Sequence, residues 1–245
     1  MTRRRWIADE WDETTAALTG TQADHLARVL RARVGMEFDI VAGGIVHRGV
    51  VATIETGAVR FQLFEALASD ASLPLTCALS IFKFDRYEWA IEKLTELGVA
   101  TILPVVARRT EKHLAKASEA RVERWRRIAL EAAKQSRRTD VPVIADPISL
   151  EKVELPTEAA WGILLSEIES DTSLWTALEE NREKRATLQS VQMAIGPEGG
   201  WTEQEMQWFA DRKWQPVSLG PRILRAETAA IATASVLGAW MGNSR

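Results

Sequence analysis

Residues 195–201 read Ile195-Gly196-Pro197-Glu198-Gly199-Gly200-Trp201. Three glycines within five positions let the backbone adopt φ > 0 and approach a ligand without interference from Cβ. Pro197 stiffens the bend, and Glu198 sets a carboxylate inside it. An apolar run from Thr187 to Ile195 precedes it as a strand. Thr202 and Glu205 follow in capping-box spacing, marking a helix from Thr202 to Ala210. The N–H groups of that helix start lie close by. A bare strand-to-helix turn would need the glycines but not the carboxylate. A carboxylate at a strand's carboxyl end, where α/β proteins bind ligands, points to a site.

A second segment runs Leu219-Gly220-Pro221-Arg222-Ile223-Leu224-Arg225-Ala226-Glu227-Thr228. The short strand Val217-Ser218-Leu219 ends, Gly220-Pro221 turns, and two arginines flank two aliphatic residues before the last helix, Ala226 to Met241. Ile223 and Leu224 can wall an apolar ligand while Arg222 and Arg225 meet anionic groups. The same spacing is compatible with a local ion pair between Arg225 and Glu227. Ala229, Ala230, Ala232, Ala234 and Gly238 make the last helix small-sided, suited to close packing in the core or in a subunit interface.

These segments belong to a region of alternating strands and helices. Leu75–Phe82, Ala100–Val106 and Trp161–Ser166 read as strands; Asp85–Leu97, stopped by Gly98, and Ala117–Arg138 read as helices. Such alternation predicts a mostly parallel sheet covered by helices. Before it, Ala68 to Pro74 is a small-polar linker, and the first seventy residues are β-rich. Strands Phe38–Val41 and Ile45–Val51 flank Gly43-Gly44, a third strand runs Ala58–Phe64, and one helix spans Thr21–Arg31 with Thr21 as its cap. That pattern predicts a small barrel or sandwich.

Composition narrows the chemistry. With 46% hydrophobic and 27% charged residues, the 245-residue chain is an ordinary globular protein. Its formal charge is −3, yet Lys83 to Arg138 holds fourteen Lys and Arg against eight Asp and Glu. Arg3-Arg4-Arg5, Arg108-Arg109 and Arg137-Arg138 are basic clusters that folding could unite into a phosphate-binding surface. The single Cys77 excludes an intramolecular disulfide, and with three scattered histidines leaves no zinc-ligand spacing. No nucleophile elbow, dinucleotide fingerprint or P-loop occurs. No stretch reaches the ~18–20 apolar residues of a membrane span, and no secretory leader opens the chain, so the cytoplasm is the expected compartment.

The two glycine-proline segments, written GPEGG and LGPRILRAETA, resemble the motifs of the bacterial small-subunit (16S) ribosomal RNA uracil-N3 methyltransferases of the SPOUT superfamily. Further matches occur in the same order along the chain: Arg4-Arg5-Trp6, His25 to Arg31, Lys93 with Glu96-Leu97-Gly98-Val99, and Glu131 to Arg138. Trp201 departs from the phenylalanine commoner at its position.

The resemblance implies an α/β fold in two domains: a PUA-like β-barrel for RNA over residues 1–70, and a SPOUT domain with a deep trefoil knot over 75–245. It implies S-adenosyl-L-methionine held by Leu165-Ser166-Glu167, by Ile195, Gly196, Pro197, Glu198 and Gly200, and by Leu219, Gly220, Ile223, Leu224 and Arg225. It implies 16S rRNA or the 30S subunit as partner, and a homodimer formed through the second domain. Methylating uracil N3 requires removing its proton, so Arg225 is expected to stabilise the anion and Glu198 or Glu227 to accept the proton. The expected RNA contacts are Arg3, Arg4, Arg5, His25, Arg28 and Arg31 from the first domain, and Arg109, Gln135 and Arg138 from the second.

Overall fold

A computed structural model describes residues 5–67, 73–136, 138–154, 160–167 and 171–242. The chain forms two compact units, the first from Met1–Ala71 and Ala133–Asp140, the second from Ser72–Ala132 and Val141–Arg245. Of the sequence-read linker, residues 68–72 lie outside the described residues, while Leu73 and Pro74 already belong to a strand.

The first unit carries β1 (Arg5–Ile7), β2 (Glu10–Trp11), β3 (Thr15–Thr19), α1 (Gly20–Asp24), β4 (Glu37–Ala42), β5 (Ile45–Glu55) and β6 (Ala58–Leu67). These strands form one sheet in the order β1-β4-β5-β6-β3-β2. The β1–β4 pair is parallel and the others antiparallel. The hairpin around Gly43-Gly44 and the strand from Ala58 are where the sequence placed them. The first three strands went unread. Asp12 makes the β2–β3 turn, its carboxylate accepting from the backbone N–H of Thr14 at 2.8 Å and of Thr15 at 2.7 Å. The Thr14 N–H, followed by the Thr15 hydroxyl and N–H, holds that carboxyl at about 2. Leu18, Leu26, Ile40, Val51, Val59 and Phe61 form the core under the sheet.

The single helix read over Thr21–Arg31 is corrected. α1 starts after Thr19, which makes no side-chain cap, and the chain widens at His25–Val29 into a π-helical turn. Arg31 ends it with a left-handed φ of 52°.

The second unit contains β7 (Leu73–Ser80), α2 (Phe84–Glu96), β8 (Val99–Val106), α3 (Lys112–Ser118) and α4 (Val122–Ser136), the last running into the segment grouped with the first unit. It continues with β9 (Val143–Ile144), β10 (Ile148–Ser149), β11 (Ala160–Leu165), α5 (Leu174–Glu180), β12 (Ser190–Ile195), α6 (Glu203–Asp211), β13 (Gln215–Val217) and α7 (Ala226–Gly242). The sheet is parallel, ordered β10-β8-β7-β12-β11-β13 with β9 also on β8. Side chains alternate across it. Cys77 and Leu79 point into a core with Tyr87, Ile91 and Leu94 of α2 and Leu237 of α7. Ala78 and Ala194 face Phe209 and Trp214 beside α6. Burial pushes the Cys77 thiol far above its ordinary range, leaving it inert.

The long helix read over Ala117–Arg138 is two helices, α3 and α4, joined by a 3₁₀ turn at Glu119–Arg121. Ser118 Oγ bonds back to Ala115 O at 2.7 Å, the competition with helical bonding that serine brings. At the other end of the chain, the small residues of α7 allow close packing. A Cβ on Gly238 would sit 3.0 Å from Leu73 Cδ1.

Candidate active site

Within the second unit β7, β12, β11 and β13 lie side by side and end level, with Leu79 opposite Ile195, Leu164 opposite Ala194, and Leu165 opposite Val217. Their carboxyl ends open into a cavity of about 810 Å³. Residues 165–167, 195–198 with Gly200, and 219–225 all line it, so the three segments singled out from the sequence converge on one space.

The loop after β12 is tightly held. Gly200, at φ +69°, turns the chain and donates its N–H to Pro197 O at 2.8 Å. Arg109, just beyond β8, donates through Nη1 to Gly199 O at 2.7 Å and to Trp201 O at 3.3 Å. The Trp201 ring packs edge-to-face on Phe209, 4.9 Å between centroids. A Cβ on Gly196 would meet that indole at 3.1 Å. The capping box is present: Thr202 Oγ1 accepts from Glu205 N, and Glu205 Oε2 accepts from Thr202 N at 2.8 Å. The other oxygen of Glu205 accepts from Arg108 N at 2.8 Å, fixing α6 to the end of β8. Glu203 and Glu205 thus place two carboxylates in the first turn of α6.

The loop after β13 is the opposite. Among the described residues, no backbone N–H or C=O from Leu219 to Leu224 has a partner within the chain. Gly220 sits at φ +107°, and Ile223 is 83% exposed. Arg222 and Arg225 are exposed, with no ion pair among the described residues.

Among the cavity-lining residues that the sequence reading missed, Arg86 carries the charge contacts. Arg86, in the first turn of α2, places Nη1 3.1 Å from Glu198 Oε1 and Nε 3.8 Å from Glu227 Oε1. The Glu227 side chain is 7% exposed, and its Oε2 has no hydrogen-bond partner. Glu227 therefore pairs with Arg86, not with Arg225 as the local alternative allowed. A helix start following the strand next to β12 is the signal that could have found Arg86, because it rises at the same edge of the sheet.

A family model for an RNA methyltransferase domain matches residues 69–238. The ribosomal RNA small subunit methyltransferase E of Synechocystis sp. is 37% identical over 224 residues, covering 89% of this chain and 70% of that protein. The Bacillus subtilis protein of the same name is 30% identical, covering 91% of this chain and 89% of its own. The chain belongs to this family. Solved structures agree. The methyltransferase E of Neisseria gonorrhoeae, bound to S-adenosyl methionine, is 28% identical with a TM-score of 0.78, covering 97% of this chain and 98% of that one. A probable rRNA-methyltransferase from Porphyromonas gingivalis is 25% identical with a TM-score of 0.79, covering 99% and 100% of the two chains.

The residues read from sequence as RNA contacts are dispersed. Arg3 and Arg4 lie outside the described residues, as does Arg137. Arg5 is half-buried in β1; His25 is exposed with its ring 5.8 Å from that of Trp6. Arg28 is exposed and lies 3.5 Å from Asp24, and Arg31 is exposed. Gln135 and Arg138 fall in the first unit, not the second. Gln135 is exposed, but the Arg138 side chain is 8% exposed and meets Asp140 at 2.6 Å. Arg138 thus presents no free charge. Arg109 is occupied in holding the Gly199–Trp201 backbone, which makes it a support of the cavity.

Proposed function

We infer that the protein transfers a methyl group from S-adenosyl-L-methionine to uracil N3 of small-subunit (16S) ribosomal RNA, acting in the cytoplasm on the rRNA or the 30S subunit. The observation that carries this is the cavity at the level ends of β12, β11 and β13, one wall of which is backbone with no partner among the described residues. Unpartnered N–H and C=O groups suit the polar edge of an adenine, and Ile195, Leu219, Ile223 and Leu224 suit its faces. The volume of about 810 Å³ is in the range of small-molecule sites.

When bound, the donor supplies an electrophilic methyl group on a sulfonium. The chain's own residues prepare the acceptor. The N3 proton must leave, and the charge it leaves behind spreads over the two ring carbonyl oxygens. Arg225, which lines the cavity and has no ion pair among the described residues, stabilises that charge. Glu198 lines the cavity and Glu227 does not, which favours Glu198 as the proton acceptor.

The remaining expectations belong to the same reading. The first unit acts as the PUA-like RNA domain, with Arg5, His25, Arg28 and Arg31 as contacts to phosphate and base. The second carries the trefoil knot and is the unit through which the homodimer forms. Mass mapping of 16S rRNA from a strain lacking the gene tests the assignment. Loss of one N3-methyluridine, restored by the wild-type gene and not by Arg225→Ala, is the expected result. An unchanged map refutes it.

A further inference from the structure

Arg86 lies between two carboxylates that come from different elements. Glu198 belongs to the loop after β12, at 3.1 Å, and Glu227 to the first turn of α7, at 3.8 Å. Arg86 and Glu198 both line the cavity. Glu227 is nearly sealed from solvent, and an ionised carboxylate in that position is costly unless a cation stands beside it. Among the described residues Arg86 is the cation that does so, and it lies within reach of Glu198 at the same time. The three groups form a cluster with one carboxylate in excess, which meets the cavity through Arg86 and Glu198.

We propose that Arg86 is a positioning residue that sets the charge of this cluster, holding Glu198 and Glu227 as a net monoanionic group beside the cavity, matched to one methylsulfonium cation. The inference rests on the cofactor reading above and adds a specificity. Before transfer the donor carries a positive sulfur; after transfer the sulfonium–methyl bond is broken and the product is a neutral thioether. A cluster with one net negative charge attracts the first more than the second. Arg86 tempers that attraction: without it the cluster would carry two negative charges, and with either glutamate neutralised it would carry none. A guanidinium suits this place because its planar fork can reach two carboxylates from one side chain.

The test is a calorimetric titration of the purified protein with S-adenosylmethionine and with S-adenosylhomocysteine, comparing the ratio of the two affinities and needing no RNA. Arg86→Gln is expected to raise the preference for the sulfonium about threefold or more, and Glu198→Gln to lower it by a similar factor. Arg86→Lys, which keeps the charge, is expected to hold the ratio within about twofold of wild type. A merely structural Arg86 would weaken both ligands equally in Arg86→Gln, and that unchanged ratio overturns the proposal. Glu198 lies in an exposed loop, so Glu198→Gln carries the test should Arg86→Gln fail to fold; an unchanged ratio there is equally fatal. If neither ligand binds the wild-type protein, the cofactor reading falls and this inference with it. Normal binding with insensitive ratios removes this inference alone.

Discussion

The two glycine-proline bends that border the cavity are built on opposite plans. The bend after β12 is tied every few residues: Gly200 to Pro197, Gly199 and Trp201 to Arg109, Glu198 to Arg86, and the Trp201 ring to Phe209. From Leu219 to Leu224 the bend after β13 makes no such bond among the described residues. A loop held in place before binding spares the ligand the cost of ordering it. A loop with free backbone groups keeps them for recognition and must be ordered by what it binds. One wall positions while the other reads.

Four substitutions break or sharpen that contrast. Arg225→Ala removes an unpartnered guanidinium, so unfolding free energy should stay within about 0.5 kcal/mol while turnover falls about 100-fold, or about 2.7 kcal/mol of transition-state stabilisation. Single-turnover methyl transfer to rRNA measures it. Turnover left intact with only donor affinity reduced would remove Arg225 from the chemistry. Glu205→Ala, on the tied side, strips partners from Arg108 N and Thr202 N and should cost about 2–3 kcal/mol in urea unfolding. A loss below about 0.5 kcal/mol would show that the capping box does not hold the loop. Arg109→Ala loosens Gly199 and Trp201. It should weaken donor binding about tenfold at a stability cost near 1 kcal/mol, read by calorimetry and melting. Ile223→Ala touches an 83% exposed side chain and should leave stability unchanged while weakening the donor about threefold. Equal losses in stability and affinity there would erase the difference between the loops.

The site was more legible than its frame. Glycine, proline and a capping box are local signals, so the loop at Ile195–Gly200 and the helix after Thr202 could be placed from a few adjacent residues. The converging third segment, Leu165 to Glu167, came from family resemblance alone. The short strands β1 to β3 were missed because a three-residue strand such as Arg5–Ile7 has no period to show, and its register comes from Asp39 to Val41 elsewhere in the chain. α5 was missed for a similar reason: seven residues, with apolar Leu174, Ala177 and Leu178 packed inward, give only a turn of pattern before Asn181 ends it. The partners of Arg86 were not legible because they lie more than a hundred residues away in sequence; only its place at a helix start marked it. The partners of Arg109 and Arg138 were equally hidden, because charge alone cannot tell a cation offered to solvent from one bonded to a neighbouring carbonyl or carboxylate.

The capping box of α6 decides what the start of that helix admits. Strand, glycine bend and helix start, in that order, form the layout with which many proteins cradle a phosphate on exposed amide hydrogens. Here Glu203 and Glu205 crowd that helix end, and Glu205 already engages Thr202 and Arg108. An oxyanion arriving there would face the protein's own acids. The place a phosphate would take at such a helix start is thereby filled by the chain's own carboxylate.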